Sequence, residues 1–320
     1  MPVLRFVAKR LAGTVVILLA VGLLVFSLLT LSPGSVVDTL LGDQQPTPEA
    51  VRAIEARYHL DDPFIVQYGH WLTDALGGDL GVSMQSGEPV TRTISAQLPL
   101  TLQLAGCALI LVCVFGVTIG VAAGVRSGGK LDRTASAGAI VGMSIPGFAV
   151  GILLIHVFGV QLGWFPVYGA GDSGFADRLS HLVLPAVALA VNLVALLMRQ
   201  SRAAVLHVME QDYITFARAR GLNRRRIMVR YALRNTALPV VTAAGLLLIV
   251  AISGAALVES VFSLPGVGQL MVQSVNAKDM PVVQGVTICV AALVVVVNLL
   301  VDVLALVIDP RTRLSPSGRT

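Results

Sequence analysis

The sequence predicts an all-α integral membrane protein with six membrane-spanning helices, both termini cytoplasmic, and a helical elbow between the fourth and fifth spans. Three observations predict it. Of the 320 residues, 55% are hydrophobic and only 13% charged, about half the charged share of an ordinary soluble domain. The apolar residues come in blocks close to the roughly 20 residues that a helix needs to cross a bilayer core of about 30 Å. Lysine and arginine gather in alternate connections, the asymmetry that orients a chain in a membrane.

Taken in order, the blocks place spans at 11–32, 97–125, 134–163, 182–205, 238–260 and 284–309. The first follows Arg5, Lys9 and Arg10; its apolar run is too long for a signal peptide, so it reads as a retained helix. Gly, Pro and Ser in the third and fifth mark them as candidates for a break or tilt. With the N-terminus in the cytoplasm, the inner segments hold three basic residues before the first span, three at Arg126–Arg133, nine from Arg199 to Arg234 and three in the tail. The outer segments hold only Arg52, Arg57, Arg92, Arg178 and Lys278. The net charge of +5 is therefore a topology signal and implies no nucleic-acid partner.

The outer loop 33–96 carries nine acids between Asp38 and Glu88 and is too long for a plain connection. Thr47-Pro48-Glu49 reads as a helix start within it, with Thr47 as cap. The loop serves either as a cover over the spans or as a contact for an external partner. Gly116, Gly120 and Gly124, then Gly138, Gly142, Gly147 and Gly151, recur at helix-packing spacing, within the chain or against a second membrane chain. Cys107, Cys113 and Cys289 lie in apolar runs and read as small packing residues.

The elbow, 210–236, is the most informative segment. Asp212 is placed to cap a short helix over 213–220, and Gly221 to end it with a left-handed residue. Arg218 and Arg220 fall in the last turn, where the helix dipole favours cations. A second helix over 223–236 carries five arginines. Tyr213, Ile214 and Phe216 are apolar residues suited to a partner's groove. The bland alternative is a basic loop that merely obeys the charge asymmetry. Inside the spans, His156, Asn192, Asn298 and Asp302 are the polar candidates. Polar groups at membrane depth are costly and mark pathways by default, although His156 reads more readily as a helix–helix hydrogen-bonding partner. Gly124 to Leu131 nearly fits a phosphate-binding loop. Leu131 replaces the hydroxyl residue and no strand precedes it, so it reads as a turn between spans. No metal cluster or catalytic constellation is apparent.

The run Ala217-Arg218-Ala219-Arg220-Gly221, followed by Leu238-Pro239, resembles the EAA signature of permease subunits in ATP-binding-cassette importers. Asp212 through Leu222 closely resembles the dipeptide and oligopeptide branch. Ala217, Ala219 and Gly221 match the signature, whereas Arg218 stands near its acidic position. Tyr58 to Pro63, Gln67-Tyr68, Trp71-Leu72 and Gly78 to Gly81 look like that branch's first external loop, the pattern of a B-type subunit. Leu98 to Leu102 looks like its second-span entry. Phe262 to Gly268, Asp279 to Pro281 and Gln284-Gly285 look like its last external loop.

The resemblance implies a single permease domain in a bacterial-type cytoplasmic membrane, forming a pore with a second homologous permease. It implies two cytoplasmic ATPase subunits docked on the elbow residues Tyr213, Ile214, Phe216, Ala217, Arg218, Ala219, Arg220 and Gly221. An extracytoplasmic solute-binding protein would deliver a short peptide; nickel chelates, glutathione and oligosaccharides are the alternatives. The chain itself needs no cofactor and is non-catalytic, and Asn192, His156 and Asp302 are expected along the path. An ion-coupled secondary transporter and a membrane-embedded enzyme are the rivals, which midplane carboxylates with an internal repeat or a catalytic group at depth would favour.

Overall fold

The computed structural model describes residues 2–31, 47–49, 51–52, 61–171 and 174–308. It is helical, with one isolated antiparallel bridge, Val82 to Pro89, among the described residues. We number its helices α1 (Pro2–Leu31), α2 (Phe64–Leu76), α3 (Val90–Val125), α4 (Lys130–Ser144), α5 (Gly147–Gln161), α6 (Phe175–Met209), α7 (Asp212–Ala219), α8 (Arg225–Val261), α9 (Val267–Asn276) and α10 (Met280–Ile308). Pro48 and Glu49 are also helical, and Val51 N–H donates to Thr47 C=O at 3.0 Å, as the Thr47-Pro48-Glu49 start requires. Most of loop 33–60 and the tail beyond Ile308 lie outside the described residues.

Four helices, α3, α6, α8 and α10, are long and apolar enough to cross a membrane. The α4–α5 pair makes a fifth if its two halves are one span. Its axis turns by 94° at Ile145-Pro146. Ile145, forced out of the helical region by the following proline, sits at φ −93° and ψ 123°. The stretch assigned to the third span is thus broken, as its composition suggested, whereas that assigned to the fifth is one continuous helix. The elbow's second helix and the fifth span, expected as separate segments, form the 37-residue α8, with one π turn at Met228–Ala232 absorbing the irregularity. Residues 90–96, assigned to the outer loop, open α3: Pro89 ends the loop and its C=O accepts the Arg92 N–H at 3.0 Å. The described apolar stretch of α1, Ala12–Ser27, is shorter than a full crossing.

The described residues fall into two compact units, one drawn from Met1–Pro99 and Leu270–Val295, the other from Leu100–Gln269 and Val296–Thr320. In the first, Tyr68 and Trp71, one turn apart on α2, pack on Phe26 of α1 with ring centroids 5.8 and 5.7 Å away. The Tyr68 hydroxyl donates to Leu19 C=O at 2.9 Å. The buried Asp279 holds the loop before α3: Ser83 Oγ donates to Oδ2, and the Met84 N–H donates to Oδ1 at 3.2 Å.

In the second unit, α6 is the central helix and packs against α3, α4, α5 and α8. The glycine stripe explains the close approach of α3. A Cβ at Gly116 would lie 2.9 Å from Leu197 Cβ, one at Gly120 2.5 Å from Met198 C=O, and one at Gly124 2.9 Å from Val205 Cβ. Gly142, Gly147 and Gly151 meet α6 or Phe262 in the same way, and Gly138 faces open space. At these six positions the helix-packing glycines act within the chain. Gly120→Ala should therefore force α3 and α6 apart and cost about 1–3 kcal/mol. Gly106→Ala, which meets nothing within 4 Å, should be close to neutral. Thermal melting of the two variants in detergent compares them directly.

Candidate functional site

The elbow is built from local rules. Helix α7 ends through two reversed hydrogen bonds, Leu222 N–H to Ala217 C=O at 3.2 Å and Gly221 N–H to Arg218 C=O at 2.9 Å. This closure needs a left-handed residue, and Gly221 supplies it at φ +74°. Asn223 then starts α8, its Oδ1 accepting the Arg225 N–H at 3.2 Å. The N-terminal cap differs from expectation. Gln211 takes the extended cap position without a capping side-chain bond, its amide donating back to His207 C=O at 3.2 Å, and Asp212 is the first helical residue, where its charge still favours the N-terminal dipole.

Burial divides the predicted docking residues. Ile214 and Ala217 are buried with Ile227, and Met209, Leu222 and Tyr231 pack around them. This small core joins α7 to the start of α8, so Ile214 and Ala217 hold the elbow together instead of presenting side chains to a partner. Tyr213, Phe216, Arg218, Ala219, Arg220 and Gly221 are exposed, and Phe216, at 69%, is the most exposed large apolar side chain of α7. Tyr213 stacks at 6.5 Å on Tyr231, which fixes its outward edge.

At the end of α8 lies a clasp that the sequence reading missed. Glu259, fully buried, accepts from Thr101 Oγ1 at 2.7 Å and from the Gln269 N–H at 3.0 Å. Thr101 Oγ1 in turn accepts the Val267 N–H at 2.9 Å. The free amides at the start of α9 are thus satisfied by two side chains from other helices. The clasp also explains the run Phe262 to Gly268. A Cβ at Gly266 would lie 2.3 Å from the Glu259 carboxyl carbon, and one at Gly268 2.4 Å from Ala256 Cα. Glu259 is legible in the sequence as an acid within the predicted fifth span, Asp302 in the sixth being the other such acid, and Thr101 as a hydroxyl in the Leu98–Leu102 run.

A second buried acid, Asp132, forms a two-pronged pair with Arg202, through Nε and through Nη2 at 2.8 Å. It also accepts the Gly128 N–H at 2.9 Å, so an amide of the phosphate-loop look-alike is taken by the chain's own carboxylate. The predicted path residues lie apart. Asn192, half-buried on α6, donates to Met143 C=O at 3.0 Å, in the last turn of α4 where helical donors run out. His156 is exposed near the end of α5, its Nε2 3.1 Å from Gln161. Asp302 is half-buried on α10.

Comparison with known proteins identifies the fold and family. The profile described as "Binding-protein-dependent transport system inner membrane component" matches residues 116–314, and the corresponding N-terminal profile matches 3–105. The chain belongs to this family of membrane permeases. A probable peptide ABC transporter permease of Sinorhizobium fredii is 36% identical over 96% of this chain and 99% of its own length. A putative peptide permease of Brucella suis is 39% identical over 98% and 100%, and the dipeptide transport system permease protein DppB of Escherichia coli 35% identical over 97% and 99%. The fold of this permease is shared with a chain of the MetNI methionine ABC transporter in an inward-facing form, at TM-score 0.56 and 22% identity over 68% of this chain and 96% of that one.

The clasp predicts a graded response. Glu259→Ala leaves the Thr101 hydroxyl and the Gln269 amide without their acceptor and should cost on the order of 3 kcal/mol. Glu259→Gln keeps an acceptor oxygen and should cost less. Detergent melting curves of the two variants test the order.

Proposed function

We propose that this chain is the pore-forming permease subunit of an ATP-driven importer that moves short peptides across the cytoplasmic membrane. The observation that carries the reading is the near full-length similarity to peptide permeases of Sinorhizobium, Brucella and Escherichia. The elbow supports it: an exposed Phe216 and Tyr213, flanked by Arg218 and Arg220, stand on a helix locked to α8. Such a surface suits docking on a separate ATPase subunit, with Ile214 and Ala217 as its internal support.

In this reading α1 and the broken α4–α5 pair complete six spans with both termini cytoplasmic. A second homologous permease forms the other half of the pore. Two ATPase subunits supply the energy, and an external solute-binding protein delivers the peptide. The arginines of α7 and α8 support the orientation, because they would lie on the cytoplasmic side. Gentle purification from the native membrane should recover a second permease and one or two ATPases. A chain that purifies alone and moves solute without ATP would overturn the proposal.

The elbow makes a sharper prediction. A Cβ at Gly221 meets no neighbour within 4 Å, but its φ of +74° is unfavourable for any residue with a Cβ. The penalty is about 1–2 kcal/mol for a single left-handed residue, enough to disturb the end of α7 but not to unfold a span. Gly221→Val should therefore assemble normally, hydrolyse ATP, and import peptide at least several-fold more slowly per ATP than the parent. The ratio of uptake to phosphate release in proteoliposomes measures this.

A further inference from the structure

A groove of about 410 Å³ lies along the seam of α4 and α6, lined by Ser136 and Ile140 of α4 and by Arg199, Arg202 and Ala203 of α6. Its two guanidinium groups differ in their partners. Arg202 is held by the buried Asp132. Arg199, one turn away, is exposed, and its polar contact is the weakly accepting Met143 Sδ at 3.7 Å. Among the described residues no carboxylate pairs with Arg199, so the groove carries one uncompensated positive charge.

The position of Arg199 matters as much as its charge. It lies in the last two turns of the predicted span 182–205, at its predicted cytoplasmic end where the basic residues gather, two turns from Asn192 on the same face of α6, and both side chains reach Met143. Met143 immediately precedes the 94° break of the α4–α5 pair. Broken helices at membrane depth persist where they are buried in protein or line a water-filled cavity. An arginine near the end of a span reaches the interface or faces such a cavity, and Arg199 opens on the groove. A planar guanidinium is the group best shaped for a carboxylate, which it binds through two parallel hydrogen bonds.

We propose that Arg199 binds the C-terminal carboxylate of the translocated peptide in the α4–α6 groove. The inference rests on the peptide-import reading above and deepens it. Every unmodified short peptide ends in a carboxylate whatever its side chains. A single free arginine that reads this group, in a groove whose other lining residues are Ser136, Ile140, Ala203 and the Asp132-paired Arg202, would recognise peptides without selecting among their sequences. Asn192 then supports the groove by holding the Met143 carbonyl at the break.

The test uses the complete transporter, with its binding protein and internal ATP, in proteoliposomes. Uptake of dialanine and of dialanine amide, which lacks the terminal charge, is measured at limiting peptide for the parent, Arg199→Gln and Arg199→Lys. The proposal expects Arg199→Gln to slow dialanine about tenfold or more, down to the rate of the amide, with the amide rate unchanged. Arg199→Lys should recover part of the loss, and matched melting temperatures should show that the variants fold. An equal loss for both peptides, or no loss for either, overturns it. So does a parent protein that loses dialanine uptake as severely as Arg199→Gln when anionic lipids are left out of the vesicles, which would assign Arg199 to a lipid headgroup. A parent that imports neither peptide while hydrolysing ATP overturns the peptide reading itself, a result distinct from the others.

Discussion

Backbone amides and carbonyls inside a bilayer have no water to turn to, and each must find a partner within the protein. At three places where this chain leaves a regular helix, a side chain from elsewhere takes up a loose group. At the end of α4 the Met143 carbonyl is met by Asn192. At the start of α9 the Val267 and Gln269 amides are met by Thr101 and Glu259. At the turn before α4 the Gly128 amide is met by Asp132. Four polar side chains in apolar surroundings are the means by which a predominantly helical chain accommodates breaks and caps.

Close backbone approach is the second constraint, and it explains where glycine is indispensable. The stripe at Gly116, Gly120 and Gly124 leaves no room for a methyl group against α6. The hydrophobic effect does little to bring helices together in lipid, so contact of this kind supplies the packing that a soluble core would obtain from excluding water. Gly266 and Gly268 serve a different end. They let the backbone before α9 fold tightly over Glu259, so its carboxyl group is enclosed with a hydrogen bond to each oxygen. A buried carboxylate without such partners would be strongly disfavoured.

Much of this organisation is legible in the sequence because hydropathy and glycine spacing are local signals. The apolar blocks mark α3, α6, α8 and α10, although α3 and α6 each begin seven residues and α8 thirteen residues before its block, and Gly221 announces its own left-handed turn. What escapes is decided by pairings between distant residues. Nothing near Thr101 says that it meets Glu259, 158 positions away, and nothing near Arg202 says that its partner is Asp132. The residues predicted to dock a partner show the same limit at shorter range. Tyr213, Ile214, Phe216 and Ala217 look alike as a small apolar run, and only the packing against Ile227 separates the two that face inward from the two that face out. Proline is the remaining ambiguity. Pro146 breaks its helix, while Pro99, Pro185 and Pro239 are carried inside continuous ones.

The continuity of α8 has a mechanical consequence. At 37 residues and 1.5 Å per residue, it is a rod about 55 Å long. One end is bolted to the elbow through Ile227, and the other carries Glu259. A tilt of about 5° at the elbow, pivoting at that end, would carry the far tip through roughly 5 Å by the geometry of such a rod. The clasp around Glu259 would then have to travel with the rod or release, which makes it the natural gauge of how far a push on the elbow has been transmitted.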